Sequence, residues 1–219
     1  MKGIQVIKSL DKGGAEVLLR ELFQNKKFKA NNELWLLTKH DYPMLIDFKK
    51  IDVKIKIFGI FGGGNVLLEL VRLINQLRKN KPQYVHSHLP WAGILIRFVK
   101  FFAKFRSIYT EHNQIQFYKK TTYLFNRYSY FLENKIICCS NAVQMSLPNY
   151  WQKHSIVIDN GIDLDKFYRK KDVKIWKEVS QKLKVITVGR MSQQKMQIRL
   201  IKAIAKIPGK IQVELLIVG

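Results

Sequence analysis

The chain has 219 residues, 47% of them hydrophobic and 12% aromatic, enough for one large folded unit or one and a half ordinary ones. No unbroken apolar span approaches the ~18 residues of a membrane helix, and the start, Met1-Lys2-Gly3-Ile4-Gln5, lacks the apolar stretch and cleavage site of a signal peptide, so the expected address is the cytoplasm. The formal charge of +23 points to an anionic partner (lipid headgroups, a nucleotide or nucleic acid) or to a lysine-rich solvated surface, and charge alone does not choose.

Short apolar runs bounded by turns alternate with longer segments of helical period, the pattern of β-α units around a parallel sheet. A first strand, Gly3 to Ile7, leads through Asp11-Lys12-Gly13-Gly14-Ala15-Glu16 into a helix over Gly14 to Gln24. Strands are expected at Glu33 to Thr38 and Val53 to Phe58, and Phe61-Gly62-Gly63-Gly64-Asn65 reads as a flexible turn into a helix ending near Lys79. Strands Gln83 to Ser87, Ser107 to Thr110, Lys135 to Cys139 and Ser155 to Ile158 alternate with helices Trp91 to Phe105, Tyr118 to Leu132 and Ala142 to Trp151. Two apolar stripes are expected to face the core: Leu67, Leu70, Ile74 and Leu77, and Trp91, Leu95, Phe98, Phe102 and Phe105. Cys138 and Cys139 are adjacent at the end of an apolar run, which suits buried reduced thiols.

After a polar stretch, Asp163 to Glu178, a second unit runs strand Lys184 to Val188, helix Gln194 to Ile207 and strand Val213 to Val218. Two strands and one helix cannot cover both faces of a parallel sheet, so residues 166–219 are expected to form an incomplete domain that packs on the first or is poorly ordered. These residues carry 14 basic against 3 acidic side chains, nearly half of the charge excess.

Three places carry chemistry. The Gly13-Gly14 turn delivers the chain to a helix amino terminus, where unpaired N–H groups and the helix dipole favour an anion; a turn that merely needs positive φ would read the same way. Tyr84-Val85-His86-Ser87-His88-Leu89-Pro90-Trp91 and Tyr109-Thr110-Glu111-His112-Asn113 each close a strand at its carboxyl end, the edge at which open α/β sheets bind ligands. His86, His88, His112 and Glu111 there supply hydrogen-bonding and acid-base groups for work near neutral pH. No spacing such as His-Glu-x-x-His supports zinc.

Six ordered segments resemble glycosyltransferase family 4: Gly13-Gly14-Ala15-Glu16, His86-Ser87-His88-Leu89-Pro90-Trp91-Ala92-Gly93, Thr110-Glu111-His112-Asn113, Cys139-Ser140-Asn141-Ala142-Val143, Ile158-Asp159-Asn160-Gly161-Ile162-Asp163 and Val188-Gly189-Arg190-Met191-Ser192-Gln193-Gln194-Lys195. The resemblance implies an α/β GT-B fold, with residues 1–165 as a complete Rossmann-like acceptor-side domain and residues 166–219 as the start of a nucleotide-sugar-binding domain. It implies retaining transfer from a nucleoside-diphosphate sugar to a saccharide or lipid-linked acceptor in envelope polysaccharide or glycolipid synthesis, with no metal or other cofactor. His112 would contact the transferred sugar and steady transition-state charge. Gly13, Gly14, Arg190 and Lys195 would hold the donor diphosphate, while Glu16, His88, Glu111 and Asn113 would line the acceptor side.

Two departures stand out. The family's glycine after the position of Lys195 is Met196 here, and the acidic pair that would hold donor sugar and ribose is expected beyond Gly219. The chain as given is therefore expected to be inactive or impaired, and the alternative reading is a catalytically inactive remnant that binds membrane or acceptor. The segment Trp91 to Arg106 adds Arg97, Lys100, Lys104 and Arg106 to an apolar stripe, which suits either a core helix with a basic solvated face or a helix resting on an anionic membrane at its cytoplasmic side. Nucleic acid has only the net charge in its favour.

Overall fold

Strand β1 (Gly3–Ile7) is buried along its whole length, Gln5 included, as a strand in the middle of a parallel sheet covered on both faces must be. This is a computed structural model, and it describes residues 2–166, 182–192, 195–209 and 211–219. Most of the polar stretch Asp163 to Glu178 lies outside these residues, as do Gln193 and Gln194. The chain divides into two compact units, Met1–Asp163 and Leu164–Gly219.

In the first unit β1 is followed by α1 (Gly14–Gln24), α2 (Lys26–Asn31), β2 (Asn32–Leu36), α3 (Leu45–Lys50), β3 (Ile55–Ile57), α4 (Val66–Asn80), β4 (Tyr84–His88), α5 (Pro90–Val99) and β5 (Arg106–Glu111). Then come α6 (Lys120–Ser129), β6 (Lys135–Cys138), α7 (Asn141–Ser146), α8 (Asn149–Lys153) and β7 (Ser155–Val157). The seven strands form one parallel sheet in the order β3-β2-β1-β4-β5-β6-β7. The chain builds outward from β1 in one direction and then, from β4, in the other. The carboxyl ends of β1 and β4 therefore flank a topological switch point, where an open α/β sheet leaves a crevice.

Each face of the sheet has its own core. Ile7, Leu34 and Leu36 pack under Leu19 and Phe23 of α1, and Ile4, Val6 and Trp35 pack under Leu73 and Leu77 of α4 and Ile96 of α5. Asn65 caps α4, its Oδ1 accepting from the backbone N–H groups of Leu67 and Leu68 at 3.1 and 3.3 Å. Gly62 and Gly63 hold positive φ (109° and 87°), so the run before α4 is a defined turn.

The expected helix Ala142 to Trp151 is two helices, because Pro148 pushes Leu147 to extended geometry (φ −70°, ψ 156°) and ends α7. Helices α2 and α3 have six residues each, too short to show a period in the sequence. The stripe on α5 also differs from expectation. Its buried residues include Ala92, Gly93, Ile96 and Val99, while Trp91, Phe98 and Phe102 are exposed. The reason is close approach to the sheet: a Cβ on Gly93 would lie 2.7 Å from the Tyr109 ring, so the small residues face inward and the bulky ones turn out. On α4, Leu77 is buried and Leu70 and Ile74 pack against the core, but Leu67 is 70% exposed.

The second unit contains β8 (Lys182–Val188), α9 (Gln197–Ile204) and β9 (Gln212–Val218), with β8 and β9 parallel. Ile186, Val188, Leu216 and Val218 are exposed on one side of this two-stranded sheet. Among the described residues no helix is long and apolar enough to cross a membrane.

Candidate functional site

Residues two apart on a strand share a face, and so do in-register partners on parallel strands. The registers Gln5↔His86, Ile7↔His88 and His88↔Thr110 therefore place Gln5, His86, His88 and Thr110 on the face that α1 covers. Asn32 and Tyr84, both paired with Gly3, share it. A seam of polar side chains thus crosses an otherwise apolar sheet, and it ends at His112, the residue after β5.

From Tyr84 and Asn32 through Gln5 and His88 to His112 the seam is hydrogen-bonded without a break. His112 Nε2 lies 3.2 Å from His88 Nδ1, and His88 Nε2 lies 3.0 Å from Gln5 Oε1. Gln5 Nε2 donates to Asn32 Oδ1 at 2.9 Å, and the Tyr84 hydroxyl donates to the same oxygen at 2.8 Å. His86 Nε2 pairs with Thr110 Oγ1 at 2.7 Å, and its ring lies 4.2 Å from that of His88, centroid to centroid. Burial holds all three imidazoles neutral. His86 is pulled from 6.5 to about 3 by burial and then by His112, and His112 is pulled to about 4 by burial. His88 falls well below the ordinary range through burial, then through His86 and His112.

His88, expected to line the acceptor side, is 1% exposed and acts as the support beneath His112. His112 itself is half-buried and stands at the strand-end surface. Glu111, also expected to line that side, is fully buried on the opposite face. Its carboxylate accepts from the Tyr118 hydroxyl, from the Tyr130 hydroxyl at 2.8 Å and from Asn126 Nδ2 at 3.1 Å. Burial raises its pKa, and the tyrosine hydrogen bonds oppose the rise. Asn113 is half-buried.

Behind Glu111 lies a buried cation. Arg97 donates from Nε to Glu133 at 2.7 Å and from Nη1 to Asn126 Oδ1 at 2.7 Å, and its guanidinium stacks 4.4 and 4.7 Å from the Tyr109 and Tyr130 rings. Cys138 and Cys139 are free thiols; burial pushes Cys138 up to about 11.

At the end of β1, Gly13 caps α1 with extended geometry (φ −132°, ψ 168°), so positive φ is not what requires glycine there. A Cβ on Gly13 would lie 2.5 Å from Glu16 Oε2, so a larger residue there would make the end of that flexible side chain shift. Glu16 is buried, and its carboxylate reaches back over the amino terminus of its own helix, where an acidic group is stabilised. Gly14 differs, because a Cβ added there meets nothing within 4 Å and the backbone faces open space. Leu89, next to His88, holds φ 68° and ψ 152°, a strained conformation at the same edge.

In the second unit Arg190 and Lys195 are exposed on the turn between β8 and α9. Gln197 Nε2 fastens that turn by donating to the carbonyls of Gly189 and Arg190 at 3.3 and 3.0 Å. Met196 takes φ 58° and ψ 28°, left-handed geometry that favours glycine, so a residue with a β-carbon holds this turn under strain. Among the described residues no group of three or more His, Cys, Asp or Glu side chains is arranged to hold a metal.

Gln5, Asn32 and Asn126 escaped the sequence reading; Tyr84 was seen only as part of a strand, and Arg97, expected on a basic solvated or membrane-resting side of its helix, is instead fully buried against Glu133. A signal existed for two of these residues: Gln5 interrupts the apolar run of β1 and Arg97 that of α5, where an uncompensated polar group would be costly.

An open seven-stranded parallel sheet with a polar site at its switch point, followed by a second β-α-β unit, has the architecture of GT-B glycosyltransferases. The sequence matches Glycosyltransferase Family 4 over residues 12–166, and the chain belongs to that family. Among solved structures, Anabaena HepE in complex with UDP superposes with a TM-score of 0.78 at 18% identity, over 98% of this chain and 60% of that one. Sucrose-phosphate synthase from Thermosynechococcus elongatus gives 0.70 at 16% identity, over 100% of this chain and 62% of that one. The lipopolysaccharide outer core galactosyltransferase WaaB, in its apo form, gives 0.68 at 13% identity, over 99% and 60%. The chain thus spans about 60% of the length of these proteins, and at such identities the likeness is one of fold. No curated protein matches the sequence.

Proposed function

We propose that the protein is a retaining glycosyltransferase that moves a sugar from a nucleoside diphosphate to a saccharide or lipid-linked acceptor in envelope polysaccharide or glycolipid synthesis. The observation that carries this reading is His112: a neutral imidazole at the carboxyl end of β5, backed by His88, beside the switch point where ligands bind. In this role His112 takes a hydrogen bond from a hydroxyl of the transferred sugar. The open backbone at Gly14 lets a diphosphate or acceptor approach the α1 amino terminus. Residues 1–165 serve as the acceptor-side domain and residues 166–219 belong to the nucleotide-sugar domain, where Arg190 and Lys195 neutralise the leaving diphosphate without a metal. HepE binds UDP and UDP-glucose, and WaaB is a lipopolysaccharide galactosyltransferase, which supports a nucleotide-sugar donor and an envelope acceptor.

The same proposal includes peripheral attachment to the cytoplasmic face of an anionic membrane. Phe98, Phe101, Leu124, Phe125, Tyr128 and Phe131 line an apolar groove between α5 and α6, and five of the six are aromatic and at least 47% exposed. Between residues 91 and 132 the only acid is the buried Glu111, whereas Lys104, Arg106, Lys119, Lys120 and Arg127 are exposed. An apolar groove formed by a stretch of chain whose exposed charges are all positive suits an anionic bilayer.

Incubating the protein with sugar-labelled nucleoside diphosphates and oligosaccharide or lipid-linked acceptors tests the enzymatic reading. Label moving to an acceptor with retained anomeric configuration supports it. Acceptor or membrane binding with neither nucleotide binding nor transfer favours a non-catalytic remnant instead.

A further inference from the structure

The hydrogen bonds of the polar seam have a direction, and their starting point is the backbone. The Phe28 carbonyl accepts from Asn32 Nδ2 at 2.9 Å, so the oxygen of that amide faces the sheet. There it accepts from both Gln5 Nε2 and the Tyr84 hydroxyl. With its nitrogen committed to Asn32, Gln5 presents its oxygen to His88. An amide oxygen can only accept, so His88 carries its proton on Nε2. A neutral imidazole has one N–H, and His88 Nδ1 is consequently a lone pair that accepts from His112 Nε2. His112 in turn keeps its proton on Nε2 and is left with Nδ1 as its acceptor.

We infer that Asn32 and Gln5 are positioning residues that fix the tautomer of His112, so that His112 meets its ligand through Nδ1 as a hydrogen-bond acceptor. This rests on the reading of His112 as the sugar-contacting residue and specifies the chemistry it recognises. The facing group must donate: a hydroxyl is accepted, whereas a carboxylate or phosphate oxygen would meet a lone pair. Gln5, Asn32 and His88 are at most 5% exposed, so water has little access to reverse the chain of donors.

Long-range ¹H–¹⁵N correlation spectra of the histidine rings, recorded on the ligand-free full chain at pH 7, read the tautomers directly. The expected result is an Nε2–H tautomer for both His88 and His112, with His112 assigned by the signals lost in His112→Gln. In Gln5→Leu, which removes the acceptor for His88, the His112 ring is expected to show a mixture of tautomers, and transfer is expected to fall on the order of tenfold, the worth of one hydrogen bond. An Nδ1–H tautomer at His112 in the unsubstituted protein overturns the inference, and so does a Gln5→Leu protein that folds and keeps the single tautomer. The spectra require no substrate, so failure of the tautomer assignment and failure of sugar transfer are separate results.

Discussion

Glu111 and His112 are consecutive in the chain and belong to opposite faces of the sheet: the Glu111 carboxylate is buried among Tyr118, Tyr130 and Asn126, while the His112 ring bonds His88 on the face that α1 covers. The pair divides the work of the strand end, Glu111 holding the scaffold and His112 meeting the ligand. Glu111→Ala takes the carboxylate acceptor from the Tyr118 and Tyr130 hydroxyls, while Asn126 Nδ2 keeps the Tyr130 hydroxyl at 2.8 Å, and each unsatisfied buried group costs about 1–3 kcal/mol. Urea denaturation is expected to show a loss of about 3 kcal/mol or more for Glu111→Ala. A loss below about 1 kcal/mol would mean that the buried carboxylate is not structural.

The two glycines before α1 are expected to separate stability from function. Gly13→Ala pushes the Glu16 carboxylate away from the helix amino terminus and should cost about 0.5–1 kcal/mol of stability. Gly14→Ala has room, so the melting temperature should hold, yet its methyl group occupies the space through which a ligand reaches the backbone, and transfer should fall at least tenfold. Thermal melts alongside transfer rates check both; full activity in Gly14→Ala would show that no ligand approaches there.

Acid should loosen the first unit. His86 and His112 are held at about 3 and about 4, and His88 well below its ordinary 6.5, so the unfolded chain binds these protons more readily than the folded one. Their contribution to stability is complete above pH 6.5 and is lost progressively as pH falls from 6.5 through about 4 toward about 3. Glu111 works in the opposite sense, because its raised folded pKa favours the folded state as pH falls. The expected result is a lower unfolding midpoint at pH 5 than at pH 7, with a steeper decline in Glu111→Gln; a stability independent of pH over this range would contradict the buried neutral histidines.

The sheet and the strand-end histidines were legible because local rules govern them: short runs containing β-branched or aromatic residues between turns for β1, β4 and β5, and polar residues where those runs stop. The division of roles between Glu111 and His112, or His88 and His112, was not legible, since it depends on which face each residue occupies and on what the next strand offers. Gln5 is opposite His86 only through a β1–β4 pairing that spans about 80 residues of chain. The aromatic stripe of α5 misled for a related reason. Gly93 and Ala92 take the inner face because Tyr109 comes close, and bulk alone does not reveal that.

The groove between α5 and α6 should direct the protein to anionic membranes. Sedimentation with vesicles containing phosphatidylglycerol is expected at low salt and should weaken with salt, with little binding to phosphatidylcholine alone. Phe101→Ser combined with Phe131→Ser should weaken binding at least tenfold while preserving the melting temperature, as both side chains are more than two-thirds exposed. If the groove instead joins two copies of the chain, the double variant will change the sedimentation coefficient of the free protein and leave vesicle binding unaltered.

The central claim is that His112, presented by His88, contacts the sugar being transferred. It is tested most directly by comparing sugar transfer in a full-length enzyme carrying the whole nucleotide-sugar domain and in its His112→Ala variant, under conditions where both melt at the same temperature. The account predicts a fall of at least a hundredfold in transfer rate with nucleotide binding unchanged; equal rates in the two proteins would remove His112 from the mechanism and contradict the account.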